Sequence, residues 1–237
     1  MTPDILAALQ AARAEKRPVV LATKLPGGEQ ILLPSPAASP ELAEAAAHAL
    51  DQDITGTVKL SDGTWFLHVH NPPMRLIIVG AVHIAQALAP MAALIGLACV
   101  VVDPRRSFAT DDRFPNVTIS AEWPDEALDA LKPDVRSAIV TLTHDPKLDD
   151  PALDRALKSP AFYVGALGGR KTHAGRLKRL RALGHDEAAL ARIRGPVGLD
   201  IEAVTAPEIA LSILAEIVAV RRGSPLGQRT PAAQAAA

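Results

Sequence analysis

The fold is decided by residues 75–103, which read RLIIVGAVHIAQALAPMAALIGLACVVVD. A short apolar run at residues 76–79 ends at Gly80, and a helical pattern of about a dozen residues follows it. A second, β-branched run at residues 100–102 ends at Asp103, about 20 residues after the glycine. Strand, glycine turn, helix, strand and acid in this order predict a βαβ unit of the kind that binds dinucleotides.

The glycine pattern departs from the dinucleotide fingerprint at one position. The pattern G-x-G-x-x-G appears here as GAVHIA at residues 80–85, with Val82 in place of the middle glycine. That glycine normally lets the backbone approach a pyrophosphate closely, and a valine side chain obstructs the approach. The stretch therefore indicates the fold more strongly than it indicates bound NAD.

Composition narrows the class of protein. The 237 residues include 25 basic and 26 acidic side chains, so net charge does not steer the chain toward nucleic acid or membrane surfaces. Aromatic residues make up only 3 %, which argues against a base-stacking platform. The single Cys99 excludes an intrachain disulfide, a cysteine-based zinc site and an iron–sulfur cluster. We therefore expect no nucleic-acid partner and no metal site.

The long uncharged run at residues 76–102 has two explanations, a membrane span or buried strands. Gly80, Pro90 and Gly96 interrupt the run, and its ends are β-branched while its middle is rich in alanine and leucine. Parallel strands that are covered on both faces give such a run, so we expect buried strands and no membrane association. The N-terminus lacks the apolar segment of a signal peptide, and we expect a cytoplasmic protein.

The pattern of predicted elements divides the chain into three parts. Residues 1–73 predict a small α+β domain with a helix capped by Ser39 and a hairpin turn at residues 61–63. Residues 74–223 alternate strands with helices, which predicts an α/β Rossmann-like fold, a doubly wound parallel sheet. The prolines of the linker at residues 71–73 mark the boundary, and residues 224–237 are expected to form a disordered tail.

In such a sheet, ligands bind beyond the carboxyl ends of the strands. Four strand-end segments therefore supply the candidate cofactor-binding residues, and no catalytic residue is assigned. The candidates are Gly80, Ala81, His83, Asp103, Arg105, Thr143, His144, Asp145, Gly165, Gly168, Arg170 and Lys171.

Each candidate side chain has a functional and a structural interpretation. His83 either donates to an anionic ligand at a helix N-terminus or lies on the surface. Asp103 suits a ribose hydroxyl and Arg105 a phosphate, although the arginine also fits a solvated charge. His144 is either an acid/base group or a ligand contact, oriented by Asp145, or else Asp145 only caps the helix that follows it and His144 lies in the loop.

The segment GALGGRKT at residues 165–172 is typical of an anion cradle, because glycines are followed by cations and a helix start. It lacks the spacing of a Walker A loop. Six basic residues and no acids occupy residues 170–181, and a solvated helix face explains most of them. Arg170 and Lys171, which lie in the loop, are better candidates than Arg179 or Arg181.

Taken together, these motifs resemble the XdhC-type family of xanthine dehydrogenase accessory proteins, which is related to maturation factors of carbon monoxide dehydrogenase. The resemblance covers about residues 74–223 and follows the family's order. Its segments are VGA at 79–81, HIA at 83–85, VDPR at 102–105, FAT at 108–110, RFP at 113–115, THD at 143–145, YVGALGGRKTH at 163–173, GPVGLDI at 195–201 and PEIALSILAEI at 207–217.

The resemblance implies a chaperone that binds molybdenum cofactor, a molybdopterin in mono- or dinucleotide form, and supports its insertion into an apo molybdenum hydroxylase. Family members are often dimeric. Val82, Arg194 and Glu202 depart from the family pattern, and residues 1–73 lack its Ser-Gly-Gly-Cys region. Because that cysteine is missing, we expect a carrier or partner subunit and not a complete sulfuration factor. Our first hypothesis is a cofactor-binding accessory protein, a carrier or chaperone, in preference to a catalyst.

Two further hypotheses remain open at this stage. The first is an NAD(P)-dependent oxidoreductase in which Asp103 binds the ribose and His144 is the acid/base group. The second is a ligand-free interaction module that uses the same fold as a docking surface.

Overall fold

The computed structural model describes residues 2–228. The chain forms two compact units, one comprising residues 1–72 and the other beginning at Pro73. Residues 229–237, the greater part of the expected tail, lie outside the described residues.

The first unit is an antiparallel sheet with two helices. Its elements are α1 (Pro3–Ala14), β1 (Val19–Leu25), β2 (Gln30–Leu33), α2 (Pro40–Gln52), β3 (Gly56–Leu60) and β4 (Gly63–His70). The strand order is β2-β1-β4-β3. The Ser39 hydroxyl caps α2 by accepting a hydrogen bond from the Leu42 amide at 3.2 Å, as its sequence predicts. Leu42 and Ala46 of α2 pack on Trp65 and Leu67 of β4.

The second unit is a six-stranded, wholly parallel sheet. Its elements are β5 (Met74–Val79), α3 (His83–Leu94), β6 (Leu97–Val102), β7 (Thr118–Ser120), α4 (Pro124–Leu131), β8 (Ser137–Thr141), α5 (Pro146–Lys158), β9 (Tyr163–Ala166), α6 (Arg170–Ala182), α7 (Glu187–Leu190), β10 (Ile193–Arg194) and α8 (Ala206–Arg221). The order β10-β9-β8-β5-β6-β7 confirms the predicted α/β Rossmann-like fold. Strands β6 and β7 are added on one side of β5 and strands β8 to β10 on its other side, so the crevice at the carboxyl ends of β5 and β8 is the topological switch point.

Alternate residues of each strand enter two different cores. Leu76 and Ile78 pack with α3 and α8 on one face of the sheet. Ile77 and Val79 pack with α4 and α5 on the other face. This two-sided burial explains why residues 76–79 carry no polar side chain. Within residues 2–228, no helix is long and apolar enough to cross a membrane.

Two local elements were not predicted from the sequence. These are helix α7, at four residues, and strand β10, which at two residues is too short to produce a periodic pattern. The expected tail begins with a 3₁₀ turn, Pro225–Gly227, capped by Ser224. Gly227 is buried there, and a Cβ on it would lie 2.7 Å from the α8 backbone at Ala219.

Candidate functional site

The glycine turn after β5 holds two strand ends together. Gly80 has a φ of +111°, and a Cβ at this position would lie 2.6 Å from Cγ2 of Thr143, which follows β8. The Gly80 amide donates to the Val102 carbonyl at 2.8 Å. Glycine is therefore required here by both conformation and packing. Val82, the N-cap residue of α3, gives the helix no side-chain cap.

The Asp103 carboxylate is fully buried and saturated with hydrogen bonds. One oxygen accepts from the Ala81 amide at 2.8 Å, and the Arg105 amide donates to the other at 3.0 Å. The Arg105 guanidinium donates to both oxygens, at 2.9 Å and 2.8 Å. Burial raises the pKa of this carboxyl, but the Arg105 and Ala81 hydrogen bonds outweigh it and bring the pKa below its usual 3.8. A ribose hydroxyl would have to displace one of these donors.

Arg105 and His83 complete this side of the crevice. The Arg105 side chain is 38 % exposed, and its guanidinium carbon lies 4.7 Å from the centre of the Phe108 ring. Because both Asp103 oxygens bind it, Arg105 has its charge balanced inside the protein. His83 begins α3 and is exposed.

The three side chains of the segment Thr143-His144-Asp145 have different contacts. The Thr143 hydroxyl donates to Asp149 at 2.6 Å. The Asp145 carboxylate accepts from the Lys147 amide at 2.9 Å, so it caps α5, which is the structural interpretation of this residue. His144 is exposed, has a φ of +60°, and makes no side-chain hydrogen bond to the rest of the described chain.

The glycines of the predicted anion cradle have different roles. Gly165 is buried in β9, and a Cβ there would lie 2.5 Å from a Val197 methyl and 2.8 Å from the Tyr163 ring. Gly168 has a φ of +130°, and a Cβ there would lie 3.0 Å from the Thr172 methyl. Gly165 thus serves packing inside the sheet, whereas Gly168 serves the left-handed turn and the close approach of Thr172 at the start of α6.

The larger of two clefts at this edge of the sheet has a volume of about 620 Å³. His144, Gly168 and Arg170 form one wall, and the segment 196–203 with α8 forms the other. This volume is in the range of small-molecule sites. Three of the predicted site residues therefore meet at one cavity.

A buried glutamate that the site prediction missed fixes the opposite wall. Glu216 of α8 is 2 % exposed, and it accepts hydrogen bonds from the Tyr163 hydroxyl at 2.5 Å and the Gly198 amide at 2.9 Å. Arg194 lies 3.3 Å from its other oxygen. Glu216 itself lines the cleft. The detectable signal was a lone acid on the apolar face of a helix, which must find polar partners when buried.

The smaller cleft, of about 290 Å³, lies on the other side of His144. Lys171 lines it together with two arginines of α6, Arg176 and Arg179. Arg176 is 1 % exposed and lies 3.5 Å from the buried carboxylate of Asp149. Burial raises the pKa of the Asp149 carboxyl, although the Thr143 hydrogen bond and the Arg176 charge act in the opposite direction. Burial likewise lowers the pKa of Arg176, although the Asp149 charge opposes this shift. A solvated face was expected for most of the six basic residues of this helix, and Arg176 is not one of them.

The structure therefore separates the predicted site residues into two groups. His144, Gly168, Arg170 and Lys171 line the two clefts. Neither cleft is lined by the others, which are Gly80, Ala81, His83, Asp103, Arg105, Thr143, Asp145 and Gly165. Among residues 2–228, no group of three or more histidine, cysteine, aspartate or glutamate side chains is arranged to hold a metal ion.

Comparison with known proteins matches this part of the chain to a family. A family model described as the XdhC Rossmann domain matches residues 76–217. The solved structure of a xanthine dehydrogenase from Bacillus halodurans superimposes with a TM-score of 0.69 over 98 % of this chain and 67 % of that one. At 21 % identity, that likeness supports the fold alone.

Curated relatives match at higher identity. The molybdenum cofactor insertion chaperone PaoD of Escherichia coli is 35 % identical over 63 % of this chain and 41 % of its own length. The uncharacterized protein YqeB of the same organism is 35 % identical over 78 % of this chain and 34 % of its own. A probable xanthine dehydrogenase subunit of Bacillus subtilis is 31 % identical over 66 % and 46 %, respectively. The chain spans less than half the length of these relatives, and it belongs to the XdhC family through its Rossmann domain.

Proposed function

We propose that this protein binds molybdenum cofactor as cargo and supports its insertion into a molybdenum hydroxylase of the xanthine dehydrogenase or carbon monoxide dehydrogenase type. The observation that carries the proposal is the cleft at His144, Gly168 and Arg170, which belongs to a domain of the XdhC family. A relative with 35 % identity, PaoD, is named for insertion of this cofactor.

The residues at the two clefts fit the chemistry of a molybdopterin. The ligand has a flat pterin with polar edges and a terminal phosphate. The larger cleft, with a volume of about 620 Å³, is large enough for a pterin. Arg170 and Lys171 begin α6 and form no ion pair with another described residue, so their charges are available to a phosphate.

The same geometry favours a carrier over a catalyst. Among residues 2–228, His144 has no carboxylate partner to orient it, because Asp145 caps α5. The hypothesis of an NAD(P)-dependent oxidoreductase needs Asp103 to bind a ribose, and its carboxylate already accepts from Ala81 and Arg105. A binding protein requires neither group to act as an acid or base.

The test is to purify the full chain from a molybdenum-replete host and measure bound cofactor. We expect molybdenum by mass spectrometry and the fluorescence of oxidised pterin, in about equal amounts. Transfer is then measured as activity gained by an apo molybdenum hydroxylase. Tight binding of NAD(P)H with no pterin would contradict the proposal, and binding of neither ligand would favour the interaction module.

Two finer points belong to the same proposal. The pterin released on denaturation will carry a nucleotide if the cargo is the dinucleotide form, and chromatography of the released ligand identifies it. Light scattering tests the homodimer that the family suggests, because a dimer doubles the 24.9 kDa mass of the chain.

A further inference from the structure

The feature that the proposed function leaves unused is the guanidinium of Arg176. Its side chain is 1 % exposed, in a helix whose sequence is otherwise typical of a solvated face. Arginine is rarely buried unless its donors are paired. Arg176 therefore requires a structural or a ligand-binding explanation.

Internal contacts satisfy only part of this side chain. One terminal nitrogen donates to the Leu167 carbonyl at 2.7 Å and lies 3.5 Å from Asp149. Nε and the other terminal nitrogen, Nη1, are buried and have no hydrogen-bond partner among the described residues. Buried polar groups in native proteins are nearly always satisfied, and exceptions point to an ion, a water or a function. Arg176 lines the smaller cleft.

The other side chains of the smaller cleft leave an excess of positive charge. Arg179 is neutralised by Asp150, to which its guanidinium donates twice. Asp149 is held by Thr143 and Arg176. Lys171 has no ion pair within the described chain. The cleft is therefore lined by a lysine without an ion pair and by an arginine with two buried donor nitrogens that have no partner among the described residues.

The backbone adds to this charge at the start of α6. Gly169 is the N-cap residue and supplies no side-chain cap, so the first amides of this helix have no side-chain acceptor. Unpaired amides and the helix dipole favour an anion at this end. Lys171 and Thr172, in the first turn, both line the smaller cleft.

We propose that the smaller cleft is an anion subsite that binds a phosphate group, with Lys171, Thr172 and the unused donors of Arg176 as its ligands. A tetrahedral phosphate accepts several hydrogen bonds at once and suits a guanidinium beside an ammonium group. At about 290 Å³ the cleft is less than half the size of its neighbour, and His144 forms a wall of both. The subsite rests on the proposed function only for the identity of the molecule that carries the phosphate.

The subsite is tested on the full chain with inorganic phosphate and inorganic pyrophosphate. Titration is followed by calorimetry and by amide shifts in nuclear magnetic resonance spectra. We expect saturable binding, with the largest shifts at residues 170–176. Lys171→Ala is expected to weaken binding about tenfold, the effect of one charge-assisted contact.

The matched control is Lys178→Ala, because Lys178 is an exposed lysine of the same helix that does not line the smaller cleft. It removes the same charge and is expected to leave the affinity within about twofold. Equal losses in the two variants would overturn the proposal, since diffuse attraction alone would then explain binding. Binding that does not saturate would also overturn it.

Arg176 is tested with Arg176→Lys, because removal of the whole charge would leave Asp149 buried without a partner. The lysine retains the charge but lacks Nε and the planar fork. We expect at least a tenfold loss of pyrophosphate affinity in a variant that still unfolds cooperatively. Unchanged affinity would overturn the role of Arg176. Should Arg176→Lys fail to fold, Thr172→Val replaces it, with about a fivefold loss expected for one hydroxyl contact and an unchanged affinity overturning the subsite.

The two proposals fail in distinguishable ways. Phosphate binding that depends on Lys171, in a protein that does not retain molybdenum cofactor, supports the subsite and contradicts the proposed function. Retained cofactor without measurable phosphate binding supports the proposed function and contradicts the subsite.

Discussion

The two sides of the crevice at the switch point use similar residue types in opposite ways. On the side of β5 and β6, the polar groups bind one another, since Asp103 holds both the Ala81 amide and the Arg105 guanidinium. On the side of β8 and β9, His144 makes no side-chain hydrogen bond to another described residue, and Arg176 has two buried nitrogens without a partner. We infer that the first side maintains the fold and that the second is built to receive a ligand.

This difference supports the proposal that a dinucleotide-binding frame binds another ligand in this protein. In a nucleotide-binding βαβ unit, the acid after the second strand binds the ribose and the glycine turn receives the pyrophosphate. Here the acid, Asp103, accepts a hydrogen bond from the Ala81 amide and so stabilises the glycine turn. Val82 occupies the position of the middle glycine. The four predictions below test the comparison, beginning with the largest expected effect.

Gly80→Ala should destabilise the protein by roughly 2–4 kcal/mol, because alanine must adopt a φ of +111° and its Cβ would meet Thr143 at 2.6 Å. Urea unfolding measures the change. The control is Gly27→Ala, where φ is not positive and no atom lies within 4 Å of the added Cβ. An equally small loss in both variants would contradict the structural role of the turn.

Asp103→Asn should lower the free energy of unfolding by roughly 1–3 kcal/mol at neutral pH, because an amide cannot accept four hydrogen bonds. The folded protein lowers the pKa of Asp103 below 3.8, so its contribution is present above that pH and is lost as the pH falls through the folded value. The difference between wild type and variant should therefore shrink as the pH is lowered below about 4.

Urea unfolding at a series of pH values measures this dependence. Asp111→Asn is the control, since Asp111 is exposed, and we expect no comparable loss. A gap between wild type and Asp103→Asn that widens in acid would show that the carboxylate is not stabilised as described.

His144→Asn should weaken retention of molybdenum cofactor about tenfold, the loss of roughly one good contact, with little change in stability. Asparagine is suitable because it tolerates the positive φ of 60° at this position. Fluorescence titration gives the affinity, and thermal unfolding gives the stability. The control, His48→Asn, changes an exposed histidine of α2. Unchanged affinity would place the cargo site elsewhere.

Arg105→Lys should have the smallest effect, about 1 kcal/mol or less in stability, because the Arg105 side chain is 38 % exposed and solvent screens the ion pair. We expect no change in cofactor affinity, since neither cleft is lined by this residue. The same urea and fluorescence measurements apply. A loss of affinity larger than that of His144→Asn would reverse the comparison between the two sides.

Local sequence patterns were sufficient where the stabilising contacts are local. Ser39 before Pro40 predicted the start of α2, and the hydroxyl caps the helix as expected. The β-branched runs and the glycine turn predicted the βαβ unit, because buried strands require apolar residues and a positive φ favours glycine. Strand β10 has no such pattern, since its two residues are held by pairing with β9.

The candidate site was predictable as a set of loops but not as a set of roles. The rule that ligands bind at strand carboxyl ends selected His144, Gly168, Arg170 and Lys171, which line the clefts. The same rule selected Gly165, which the structure uses to pack against Tyr163 and Val197. Sequence position predicts that a residue lies at the edge of the sheet, but packing determines whether it faces a cleft or contacts neighbouring side chains.

The alternation of strands and helices, the glycine at the turn and the position of the loops could be predicted, because each depends on neighbouring residues. Which charges are neutralised depends instead on contacts between distant parts of the chain. Asp103 binds a residue two positions away and an amide 22 positions away. Arg176 contacts Asp149 across 27 positions and has two buried nitrogens without a partner in the part of the chain that the structure describes. Hydrogen-bond saturation depends on distances between elements, and those distances are set when the two faces of the sheet are packed.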